Sequence, residues 1–364
     1  MCFRNSSIRA LACLVCFASL FAIGCNSGSA PQGNTSTNGN GGGTKETLTY
    51  PYKIVTTCAM VTDIVKQVAG DKAEVSGLIG EGVDPHLYQP SRNDVVELLS
   101  AQVVFYSGLM LEGGMGDKFS QVSRKGVQVF AVTESLDEKF LRQPDEFEGH
   151  FDPHVWMDVV AWSEATQFIA QALSEYDPDN KSTYEENAAA YQAELKKLDE
   201  YSKKVIASVP KEQRVLITAH DAFGYFSRAY DIPVRSVQGL STESEAGIND
   251  INELVDFIVE NKVKAIFVES SVAQENIKSV IENCTKRGAE VTIGGELYSD
   301  AMGAPGTYEG TYFGMIDHNA TLIARALGGE APEKGLNGKL GHGEAEHKEE
   351  TDGATEKSDG AEEK

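Results

Sequence analysis

Arg214-Val215-Leu216-Ile217-Thr218-Ala219-His220-Asp221-Ala222-Phe223-Gly224-Tyr225-Phe226 passes from an apolar run to a histidine and then to an aromatic-rich run. Val215 to Thr218 is short and apolar, with two β-branched residues before its closing position, the pattern of a buried strand. Ala222 to Tyr230 predicts a helix with His220 at its start, and Val234 to Val237 predicts the next strand. Strand, helix and strand in quick succession form the unit of a parallel sheet covered by helices. The alternation continues with a helix over Ile248 to Glu260, a strand over Ala265 to Val268, a helix over Gln274 to Lys286, a strand over Val291 to Ile293 and a closing helix over Gly314 to Leu327.

The same rhythm occupies the first half. Strands are expected over Tyr52 to Thr57, Glu74 to Ile79, Val103 to Tyr106 and Val127 to Val132, with helices over Met60 to Ala69 and Asn93 to Ser100. Between the halves, Tyr184, Ala188, Tyr191, Leu195, Leu198 and Val205 recur at helical spacing, and no glycine or proline interrupts Asn180 to Val209. That is one amphipathic helix, about 40 Å long at 1.5 Å per residue. The fold class read from this pattern is α/β, two lobes with parallel sheets flanked by helices and joined by one long rigid helix. The expected division is an N-terminal lobe over 49–178, the linking helix over 179–209 and a C-terminal lobe over 210–330.

The chain ends are of another kind. Arg4 and Arg9 precede an apolar run from Ala10 to Gly24, too short to span a bilayer, which reads as a signal peptide over 1–24. Ala22-Ile23-Gly24-Cys25 resembles a lipobox, which makes Cys25 the expected lipidation site. Residues 25–48, rich in Ser, Gly, Asn and Thr, then form a flexible linker reaching on the order of 25 Å. Residues 331–364 read as an acidic, disordered tail carrying His342 and His347. The protein is thus expected outside the cytoplasm, held to a bacterial membrane by a lipid. A net charge of −23 excludes nucleic acid as a partner, which requires a basic footprint. Of six cysteines only Cys58 and Cys284 lie beyond the first 25 residues, too few for a disulfide framework or a thiolate metal site.

The chemistry rests on seven histidines. Two share a tripeptide, Asp84-Pro85-His86 and Asp152-Pro153-His154, in which proline holds each histidine on a defined turn. His220 follows a strand of the second half, and Asp300 lies beyond the last predicted strand in Leu297-Tyr298-Ser299-Asp300. In open α/β sheets ligands bind at the strand C-terminal ends. Taken singly, each of these residues has a bland reading as a turn histidine, a helix cap or a surface acid. Taken together, three imidazoles and a carboxylate would enclose one ion.

These motifs, with Val155-Trp156-Met157-Asp158 and Gly295-Glu296 beside them, resemble the cluster A-I, TroA-like metal receptors of ABC importers, over about Tyr50 to Leu327. The resemblance implies two α/β lobes on a rigid helix and places the metal ligands on His86, His154, His220 and Asp300. It implies a divalent transition metal as cargo, Mn2+ or Zn2+, handed to a membrane permease and its ATPase by a monomeric, non-enzymatic receptor. Zinc-dedicated relatives often carry a histidine-rich loop where Leu136 to Phe151 here holds only His150, which leans towards manganese, whereas His220 keeps zinc in play. Imidazole ligands predict that affinity falls as pH drops through about 6.5. Three other readings stay open. A metal-dependent hydrolase would use Glu269 as its base, a receptor would take an organic chelate or haem, and an adhesin would act at the surface.

Overall fold

A computed structural model describes residues 48–341 apart from residue 148. The expected signal peptide, Cys25, the linker up to Thr47 and the tail histidines His342 and His347 lie outside the described residues. In the first half, β1 (Tyr52–Thr56), β2 (Ala73–Gly77), β3 (Val103–Tyr106) and β4 (Gln128–Ala131) form one parallel sheet in the order β2-β1-β3-β4. Ile54 stands opposite Val75 on one side and Val103 on the other. Its helices are α1 (Ala59–Ala69), α2 (Arg92–Ser100) and α3 (Gly116–Ser123). Ser91 caps α2 through a reciprocal pair with Asp94, each side chain accepting from the other residue's backbone N–H.

The second half carries two parallel pairs. β5 (Leu216–Thr218) pairs with β6 (Val234–Ser236), β7 (Ala265–Glu269) pairs with β8 (Thr292–Leu297), and β5 lies beside β7. Around them run α6 (Gly224–Tyr230), α7 (Ile248–Asn261), α8 (Glu275–Lys286) and α9 (Tyr312–Ala326).

β8 runs past the expected end at Ile293, through a Gly-Gly pair of the kind that normally interrupts a strand. Instead the pair makes a bulge: the register shifts between Ile266 and Phe267, and the ladder resumes to Leu297. Gly295 has φ +143°, and a Cβ there would come within 2.7 Å of the Leu322 side chain on α9. Gly295→Ala combines backbone strain with that collision, so the expected result is a loss of about 1–3 kcal/mol in stability, read as a lowered thermal midpoint.

The long helix α5 (Lys181–Ala207) follows the expected stripe: Tyr184, Ala188, Tyr191, Leu195, Leu198 and Val205 are all buried. It packs along α1, α9 and α4 (Val159–Tyr176), the last a helix for which the sequence reading had no segment. Most of one side of α4 and parts of the next are buried, which blurs its amphipathic period. The buried carboxylate of Asp63 on α1 accepts from the Tyr191 hydroxyl of α5 at 3.1 Å and from the Tyr312 N–H of α9 at 3.3 Å. One hydrophobic cluster runs from Tyr52 through α4, α5 and α9 to Leu327, with smaller clusters under each half's sheets.

Residues 331–341, assigned above to the disordered tail, dock on the body. Leu340 is buried, the Leu336 N–H donates to Asp317, and the Gly341 N–H donates to Glu309. Leu336 and Leu340 supply the apolar contacts that a fully solvated tail would lack.

Candidate metal centre

All four candidate residues sit on loops, three of them directly after a strand's C-terminal end or a short connection from it. His86 follows β2. The Asp84 carboxylate accepts the His86 backbone N–H at 2.8 Å, and its other oxygen accepts the Thr242 hydroxyl at 2.5 Å, tying this turn to the second half of the chain. His154 is built the same way. Asp152 accepts the His154 backbone N–H at 3.0 Å and its Nδ1–H at 2.8 Å, and its second oxygen is paired with Arg142. The aspartate two residues ahead is thus the shared device of both tripeptides, an Asx turn on a proline-set backbone.

His220 does not open a helix as expected, because α6 begins only at Gly224. The Ala219 and His220 N–H groups instead donate to one oxygen of Glu269 at 2.7 and 3.0 Å, and His220 Nδ1 meets the other at 2.5 Å. Asp300 lies three residues beyond the bulged β8. Its loop is held by the Trp156 indole N–H, which donates to the Ser299 carbonyl at 2.9 Å. Asn319 of α9 adds two bonds, donating to the Tyr298 carbonyl and accepting the Tyr298 N–H. The sequence reading missed Thr242, Asn319 and the role of Trp156, whose partners lie far along the chain.

The four donor atoms all fall within 4.8 Å of one another. His86 Nε2 is 3.3 Å from His154 Nε2 and 3.5 Å from Asp300 Oδ2; His154 Nε2 is 3.5 Å from Asp300 Oδ1, and His220 Nε2 is 3.1 Å from Asp300 Oδ2. A tetrahedron whose donors stand about 2.1 Å from its centre has edges of about 3.4 Å, so these separations suit a small transition-metal ion. Both Asp300 oxygens and His220 Nε2 are buried with no aligned hydrogen bond, despite the 3.1 Å approach between them. Buried polar atoms of this kind are normally satisfied, and an ion between them is the partner their directions suit. For the two histidines with a carboxylate behind them, Nδ1–H faces that carboxylate, which leaves Nε2 to point inwards as a donor to metal.

The metal-free protonation state follows from the surroundings. Burial pushes His86 down to about 4, with Asp300 opposing and the other two histidines adding to the fall. Burial also disfavours the His220 imidazolium, but Glu269 and Asp300 on its two faces outweigh it and hold its pKa well above 6.5. For Asp300 burial again opposes the charge, and His220 and His154 overcome it, holding the carboxyl below the usual range. At neutral pH the empty centre therefore holds neutral His86, ionised Asp300 and protonated His220. An ion must displace the His220 proton, so the pH window expected from an ordinary imidazole moves upwards. The expected result is release of about one proton per ion near pH 7, with apparent affinity rising about tenfold per pH unit below the raised His220 pKa. Calorimetric titration in two buffers of different ionisation enthalpy reads this directly, and identical heats would contradict it.

A buried three-histidine, one-carboxylate cluster on a helix-braced α/β frame defines a metal-binding protein. The chain belongs to the family described as zinc-uptake complex component A, periplasmic (ZnuA), which it matches over residues 54–326. It is 41% identical over 319 residues to the manganese-binding lipoprotein MntA of Bacillus subtilis, covering 88% of this chain and 99% of that one. It is 45% identical over 274 residues to the zinc-binding protein TroA of Treponema pallidum, covering 75% and 88%. The solved structure of periplasmic zinc-binding TroA superposes with a TM-score of 0.73 at 44% identity, over 76% of this chain and 99% of that one. The family is a transport component and not an enzyme family. Among the described residues no helix is long and apolar enough to cross a membrane.

Proposed function

We propose that this chain is the extracytoplasmic solute-binding component of an ABC importer, capturing Mn2+ or Zn2+ at His86, His154, His220 and Asp300. It works as a monomer tethered through a lipid on Cys25, and it passes the ion to a permease driven by its ATPase. The single observation that carries this reading is the set of four buried donor groups whose atoms lie within 4.8 Å of one another, with the Asp300 carboxylate making no hydrogen bond among the described residues. We take residues 49–178 and 210–330 as the two lobes and α5 as the brace between them.

Three features disfavour the rival readings. Four protein donors leave no open position for substrate, whereas a catalytic zinc keeps one. Glu269, the base a hydrolase would need, is occupied in holding His220 and its backbone. The cavity that reaches His86 has a volume of 110 Å³, below the roughly 300–1,000 Å³ that organic ligands occupy. Two cavities of 590 and 670 Å³ share no residue with the four donors.

Asp300 can offer one oxygen or both. One gives the four-coordinate shell that suits zinc, and both give a fuller shell suited to manganese. The relatives named for manganese and for zinc are almost equally similar, so similarity favours neither ion. Metal analysis of the full chain purified in detergent, followed by competitive titration with Mn2+ and Zn2+, tests the proposal. One ion per chain, lost in His220→Ala, supports it; no stoichiometric ion would overturn it.

A further inference from the structure

Three of the four donor side chains are completely enclosed, and only that of His86 keeps a trace of exposure, 4%. That trace faces the 110 Å³ cavity, whose walls include Leu109, Met110 and Phe147 from the first half and Leu240 and Glu243 from the second, with His86 at its floor. Met110 is 59% exposed. Glu243 is exposed and is the only acid on the wall among the described residues.

The backbone here is unusual. Gly108, Leu109 and Met110 are consecutive left-handed residues, with φ of +94°, +51° and +67°. For Leu and Met this costs on the order of 1 kcal/mol each and persists only where the surroundings fix it. The buried carboxylate of Glu112 fixes it: one oxygen accepts the Ser107 N–H at 2.7 Å and the Thr57 hydroxyl at 2.5 Å, and the other accepts the Gly108 N–H at 3.1 Å. Glu134 accepts the Leu109 N–H at 3.1 Å. The turn that carries Met110 is therefore held in place, while the thioether side chain, unbranched with three rotatable bonds, is free to swing.

We infer that the ion enters and leaves through this vestibule, with His86 its first contact and the Met110 side chain its gate on a fixed turn. This rests on the receptor reading above. Because the gate lies outside the donor set, its size alters the barrier and not the end states. Rates of capture and release must then change together.

The test measures both rates on the full chain with Zn2+. Capture is followed through the emission of Trp156, whose ring lies 5.3 Å from that of His154, and release is followed into excess chelator. Met110→Trp is expected to slow both by about tenfold and Met110→Ala to speed both, with Kd unchanged within twofold; mutants of one binding surface span one to three decades in rate. Both variants keep a non-glycine residue in the left-handed position, so the backbone strain is matched. Unchanged rates in both variants, with the parent binding one ion, would overturn the route and leave the receptor reading standing. A shift in Kd carried by one rate alone would also overturn it. Failure of the parent to bind zinc would overturn both.

Discussion

Asp300→Asn is expected to weaken metal binding by about a thousandfold, or about 4 kcal/mol. Loss of a group that merely orients a ligand typically costs 10–100-fold, and Asp300 is proposed as a direct donor and is the only anionic one of the four candidates. An amide keeps the shape but removes the charge that attracts the ion. It also removes one of the two carboxylates facing His220. Competitive titration against a chelator of known affinity reads the change, with circular dichroism as the control for folding. Binding within tenfold of the parent would remove Asp300 from the ligand set.

Glu269→Gln should cost about 100-fold, the upper end for an orienting group. Glutamine can still accept the Ala219 and His220 N–H groups through its oxygen. Its NH2 would then confront His220 Nδ1 as a donor, which turns the imidazole to the wrong tautomer and puts hydrogen on the metal-facing nitrogen. With the carboxylate gone, His220 also loses a main cause of its raised pKa. The variant should therefore release much less than one proton per ion near pH 7, a signature that simple loosening of the fold would not produce. Proton release equal to that of the parent would assign Glu269 a purely structural part.

Much of this molecule was legible from the sequence, for local reasons. The stripe on α5 could be read because one face meets the core while the other stays wet, and strands such as Val103–Tyr106 because they are short apolar runs. The Asp-Pro-His tripeptides carry their own geometry, so His86 and His154 could be placed on turns before any coordinates. What escaped was fixed by distant partners. His220 was assigned to a helix start, but Glu269, 49 residues on, takes its N–H and holds it in a loop. The strand expected to end at Ile293 continues to Leu297, and the reason Gly294 and Gly295 are small is Phe267 and Leu322, side chains from other elements. Leu336 and Leu340 were lost among glycine and charge, because in a run of turns no periodicity marks which residues face the body.

The cluster that threads from Tyr52 to Leu327 through α4, α5 and α9 has a mechanical meaning. A receptor of two loosely strung bodies gives up its cargo when thermal motion lets them drift apart, and it needs nothing more than time. Here drifting apart would tear a shared interior, with Asp63 bolting three helices together at its middle. The donor loops around that interior are each held by their own hydrogen bonds, so the proposed way out for the ion is the vestibule beside His86 and not a parting of the halves. Such an interior lets the halves part only by exposing that cluster to water.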